Sequence, residues 1–133
     1  PLDDRLPAKE RVLAVIQDGK ARVYRFDHFG DATKIINDEF NFKEIVIIGN
    51  REKNFMVAFS NMLNNEKKTF SVISDSDPSV YFGDEDGNKY DLLGNVAEGP
   101  AKGQSLTKVN SFMAFWFSVG AFYSTTQIYS GGG

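Results

Sequence analysis

Residues 111–123 read SFMAFWFSVGAFY, an uncharged run with six aromatic rings. A membrane-crossing helix needs about 20 apolar residues, and this run falls short of that, with Ser118 and Gly120 inside it. A helix lying on a membrane surface carries Lys or Arg along its polar face. Here Lys108 is the one nearby cation. The spacing predicts a helix from Phe112 to Tyr123, with Asn110 or Ser111 as N-cap. Phe112, Phe115, Trp116 and Val119 then share one face, widened by Met113 and Phe122. A helix apolar nearly all round is buried, so the run is expected to plug a sheet's core, the alternative being a partner interface. The following TTQIY (125–129) reads as a final returning strand.

Working outward, the chain has 133 residues, suited to a single domain with one sizeable core. Residues 1–10 form a leading arm, and 130–133 read as a linker tail. Twelve phenylalanines point to a core built on rings. The net charge of -3, with basic residues spread out, argues against a nucleic-acid partner. No cysteine is present, which removes disulfides, zinc-thiolate sites, iron–sulfur clusters and thiol nucleophiles. The start PLDDRLPAKERV is polar and charged and shows no signal peptide, which is expected either of a cytoplasmic protein or of one from which a leader or larger neighbour was cut away.

The remaining texture is that of strands. RVLAVIQ (11–17) and ARVYRF (21–26) flank Asp18-Gly19, a type I′ hairpin signal, since Gly19 tolerates the positive φ that turn requires. Ala21 and Val23 fall on one face, Arg22, Tyr24 and Phe26 on the other. KIINDEF (34–40) reads as a short strand or turn. KEIVIIG (43–49) holds Ile45–Ile48, β-branched throughout and apolar on both faces. NFMVAFS (54–60), KTFSVIS (68–74), VYFG (80–83) and KYDLL (89–93) are further strands. NMLNNEK (61–67) and 75–79 read as loops, and DEDGN as a second hairpin tip at Asp86-Gly87. GNVAEGPAKGQSL (94–106) is an ordered loop over the sheet. The expected class is therefore α+β and β-rich: a mainly antiparallel sheet or partly closed barrel with one buried aromatic helix near the C-terminus.

Candidate chemistry is sparse. His28, the sole histidine, lies between Asp27 and Asp31, and an acid–base pair would need one of these or Asp38 beside it. No G-x-S-x-G stretch supports a serine triad. Asp84, Asp86 and Asp91 are candidate calcium ligands in DEDGNKYD (84–91), but the spacing lacks the glycine and late glutamate of a twelve-residue calcium loop. An acidic hairpin tip is the plainer reading. The glycines at 94, 99 and 103 match no phosphate-cradling motif, and no cofactor is expected.

The order of these pieces resembles the bacterial domain-of-unknown-function 3179 family. The matching segments are ARVYRF, TKIIND (33–38), EIVIIG, MVAFS, DEDGNKY, GNVAEGPAKGQSL and FWFSVGAF, spanning residues 10–129. Asn37, Asp38, Gly87, Gly99-Pro100, Gly103 and Trp116 keep the family pattern. Three positions depart from it. Thr33 stands near the family's histidine, IIGNRE (47–52) replaces its two cysteines, and Tyr90 replaces a tryptophan. The resemblance implies that any soft-metal or redox site of the family is lost here. It also implies an exported protein, at the periplasm or cell surface. The expected function is a non-catalytic binding or accessory module with a protein or small-molecule partner, for which Asn37, Asp38, Asp86 and Trp116 are the candidate ligand-binding residues. The alternative is a hydrolase-like enzyme using His28, Asp31 and Asp38.

Overall fold

The computed structural model describes residues 3–74, 78–123 and 125–131. The elements run β1 (Arg11–Gln17), β2 (Lys20–Arg25), a 3₁₀ turn (Phe26–His28), β3 (Lys34–Phe40), β4 (Lys43–Asn50), β5 (Phe55–Leu63), β6 (Glu66–Lys67), β7 (Phe70–Val72), β8 (Phe82–Asp84), β9 (Lys89–Tyr90), β10 (Val96–Glu98), β11 (Leu106–Lys108), β12 (Asn110–Phe115), α1 (Trp116–Phe122) and β13 (Gln127–Ile128). They form three sheets. Sheet A has the order β12-β1-β2-β13, sheet B β11-β5-β4-β3 with β6 on β5, and sheet C β10-β9-β8-β7. Pairing is antiparallel except that β13 runs parallel to β2. The sheets do not join into a closed barrel.

Side-chain alternation stacks these sheets into layers. On β4, Ile45 and Ile47 face sheet A and pack with Leu13, Val15, Tyr24 and Phe26. Val46 and Ile48 face sheet C and pack with Phe70, Phe82 and Tyr90. Sheet B is thus the middle layer, which is why β4 is apolar without interruption from Ile45 to Ile48. The other face of sheet A presents Val12, Ala14 and Val23 to Trp116 and Val119 of α1, with Leu6 beside them.

Three two-residue turns set the register. Asp18-Gly19, Asn41-Phe42 and Asn64-Asn65 join paired residues Gln17 and Lys20, Phe40 and Lys43, and Leu63 and Glu66. Both central residues of each turn have positive φ, the geometry that matches strand twist. The segment expected as a loop at 61–67 is therefore the end of β5, a turn and β6. Within 94–106, β10 and the start of β11 interrupt the expected loop. The loop expected at 75–79 lies partly outside the described residues.

The C-terminal helix exists but starts later than its periodicity predicts. Residues 110–115 are strand β12, paired with β1 from Arg11–Phe115 to Ile16–Asn110. Asn110 and Ser111 are therefore not helix caps, and Phe112 and Phe115 are exposed rather than in the core. Aromatic residues suit strands as well as buried helices, and β1 offered an edge to fill. Trp116 is the residue that turns inward. It is fully buried, its Nε1 donates to the Asp3 carbonyl at 2.8 Å, and its backbone N–H donates to the Glu10 carbonyl. The leading arm is folded onto this ring. No helix among the described residues is long and apolar enough to cross a membrane.

Truncating Trp116 to alanine should cost about 3–5 kcal/mol by chemical denaturation, the range for a buried aromatic. Phe122→Ala, on a ring 84% exposed, should stay within about 0.5 kcal/mol of the parent. Equal costs would mean that the helix presents a different face to sheet A.

Candidate functional site

Asp38 lies at the contact of β3 with sheet A. Its Oδ2 accepts from Arg22 Nη1 at 2.8 Å and from the Tyr24 hydroxyl at 2.6 Å. Its Oδ1 accepts the Glu39 backbone N–H. Arg22 lies over the Phe40 ring and also donates Nε to Gln127 Oε1 on β13 at 2.8 Å. Burial and the hydrogen bond to Asp38 push the Tyr24 hydroxyl far above its ordinary pKa, so it stays a donor. This network fastens the edges of sheets A and B, and Asp38 also lines an open hollow together with Asn37 and Lys68. Asn37, one residue earlier on the opposite face of β3, is exposed.

His28 is exposed at the end of the 3₁₀ turn, its ring against Tyr129 with centroids 6.2 Å apart. Asp27 lies 3.6 Å from Arg51, and Asp31 is exposed. Among the described residues no carboxylate hydrogen-bonds to His28, so the fold does not bring His28, Asp31 and Asp38 into one acid–base group.

The acidic hairpin is an internal brace. Asp84, Glu85 and Asp86 place carboxylate oxygens within 4.8 Å of one another, yet each already holds a donor. Asp84 accepts from the Asp86 and Asn88 backbone N–H groups, the Asn88 amide and the Tyr90 hydroxyl. Glu85 accepts the Thr69 N–H, and Asp86 pairs with buried Lys68 at 2.6 Å. Asp91 turns away to accept the Leu93 and Asn95 N–H groups. Burial alone would raise the Asp84 carboxyl, but its hydrogen bonds outweigh that and hold it below the usual range. Gly99 packs against this brace: a Cβ there would lie 2.7 Å from Asn88, and its φ of +118° favours glycine.

Two of the departures from the family pattern meet in space. Asn50, within IIGNRE, donates Nδ2 to Thr33 Oγ1 at 3.2 Å, and its Oδ1 accepts the Lys53 N–H. The neutral pair caps the turn into β5. Tyr90, the third departure, is buried with its ring stacked on Phe82 at 4.9 Å.

A feature that the sequence reading missed is the cleft at the open mouth between sheets A and B. It holds about 610 Å3 and adjoins a hollow of about 370 Å3 that shares Glu39, Glu44, Ile45 and Asn61 with it. The tip of the β1–β2 hairpin meets the β3–β4 turn there, Asn41 Nδ2 donating to Asp18 Oδ2. Ile16, Ile45, Met62 and Val109 form apolar walls. Gln17 continues the inward series Leu13, Val15 and lies 6% exposed at the cleft. Its buried Nε2 has no hydrogen-bond partner. Glu10 Oε2 is also buried and unpartnered, but the other oxygen of Glu10 accepts from Arg25 Nε and Nη2. At the cleft's rim Phe42 has φ of 67° and is 94% exposed. That left-handed seat costs a side-chain-bearing residue about 1–2 kcal/mol. Lys67 pairs with Glu44 at 2.7 Å and holds that carboxyl below its usual range.

Asp84→Asn should destabilise by about 1–3 kcal/mol at pH 7, leaving the Tyr90 hydroxyl poorly partnered. A carboxyl lowered in the native state stabilises fully above its unfolded value near 3.9 and loses that contribution as pH falls through the native value. The gap between parent and variant in urea midpoints should therefore narrow below about pH 4. A gap independent of pH would contradict the ionised brace.

No curated protein and no solved structure matches the chain. The family model described as "Protein of unknown function (DUF3179)" matches residues 1–126, and the chain belongs to that family.

Proposed function

We propose that the protein is a non-catalytic binding module of an exported bacterial protein, and that its ligand seats between sheets A and B over Gln17. The observation that carries this reading is the buried, unpartnered Gln17 amide. A buried donor without an acceptor costs about 1–3 kcal/mol, and such groups are rare in folded proteins. A ligand acceptor would remove that cost. The cleft's size and its mix of apolar walls and a few polar groups fit a small-molecule site. The exported setting rests on the family resemblance alone. The hydrolase-like alternative needs His28 and a carboxylate in one pocket, and no observation favours it.

A fluorine-labelled fragment library screened against 15N-labelled protein tests this directly. Hits should perturb the Gln17 side-chain amide together with Ile45 and Val109. Gln17→Leu should abolish those perturbations while changing stability by between zero and a gain of about 1 kcal/mol. Hits confined to other surfaces, or a loss of stability in Gln17→Leu, would overturn the reading.

A further inference from the structure

We infer that the cleft takes a neutral oligosaccharide, with one sugar ring stacked on Phe42 and hydroxyls reaching Gln17 and the rim carboxylates. This rests on the binding-module reading above and names its ligand class.

The first observation is Phe42. Its side chain is almost wholly in water, and among the described residues no ring stacks on it. It occupies the second position of a two-residue turn with φ of 67°, where glycine or asparagine fits without strain. Packing does not account for a phenylalanine there, and local backbone favours its replacement. Residues held in strained backbone seats cluster at active sites and ligand clamps. A flat, rigid ring offers an apolar face of negative potential. The C–H face of a pyranose, carrying small positive partial charges, matches it.

The second observation is the polar complement behind that ring. Gln17, Asn61 and Asn110 contribute amides, Ser60 and Thr107 hydroxyls, and Asp18 and Glu39 carboxylates. Each sugar hydroxyl both donates and accepts, so this mixture of donors and acceptors suits it. A phosphate-bearing ring such as a nucleotide is disfavoured. The lining carries three carboxylates (Asp18, Glu39, Glu44) against two ammoniums (Lys43, Lys108), a net of -1. A wholly apolar ligand would leave Gln17 Nε2 still without an acceptor.

The probes are cellotetraose, chitotetraose and maltotetraose, titrated into 15N-labelled protein by NMR and calorimetry. At least one should shift the Gln17 amide and the Phe42 backbone. Phe42→Gly should raise Tm by about 3 °C or more, since glycine relieves the turn, and weaken that saccharide at least tenfold. Phe42→Trp should retain binding, and Phe42→Asn should lose it, which serves if the glycine variant folds poorly. If fragments perturb Gln17 but none of the three saccharides does, the ligand class is wrong and the cleft stands. If neither does, both readings fall. Saccharide binding unchanged in Phe42→Gly would also overturn the proposal.

Discussion

Burial of β4 on both faces is the constraint on which the other layers depend. Ile45 and Ile47 support sheet A, and Val46 and Ile48 support sheet C. Four consecutive β-branched side chains satisfy both demands at once, because the strand period is two and either register presents an isoleucine or valine. Sheet A in turn is apolar on both faces, so it too needs a cover. Trp116 supplies it, held by hydrogen bonds to residues 3 and 10. Each layer is thus stabilised by the one beneath, and β4 lies at the centre of the series.

The polar chemistry of the chain falls into two groups. Most of its acids hold the architecture together. Asp38 joins β3 to sheet A, Asp84 and Asp86 brace the hairpin of sheet C, and Asp91 closes the next turn. Of these acids Asp38 keeps the family pattern, as do Gly99 against the hairpin brace and Trp116 over sheet A, and all three hold the scaffold. Gln17 Nε2 and the Phe42 ring, which have no structural partner among the described residues, lie elsewhere, at the mouth between sheets A and B. There Gln17 and Phe42 each carry a local cost that the fold itself does not offset.

Much of the scaffold was legible in the residues. Asp18-Gly19 marked the first hairpin, the alternation of Val23 against Tyr24 and Phe26 assigned both faces of β2, and Ile45–Ile48 announced a strand buried on both sides. Residues 110–115 were misread because Phe112, Phe115, Trp116 and Val119 fit a helical period while Phe and Met also suit a strand. Only the presence of β1 decides between them, and that is tertiary information. Asn41-Phe42 and Asn64-Asn65 gave no clear turn signal because neither contains glycine. The candidate site was least legible. Arg22, Tyr24, Asp38 and Gln127 come from three strands up to 105 residues apart, and nothing in the local sequence says that Gln17 lacks a partner.

Native-state hydrogen exchange followed by NMR tests the layered account most directly. The account predicts that the amides of Ile45–Ile48 exchange only through global unfolding, with a free energy equal to that from denaturant. The unpaired amides along the edge of β12 should open at far lower cost. Exchange of Ile45–Ile48 through a smaller, partial opening would show that β4 is not the layer on which both other sheets rest.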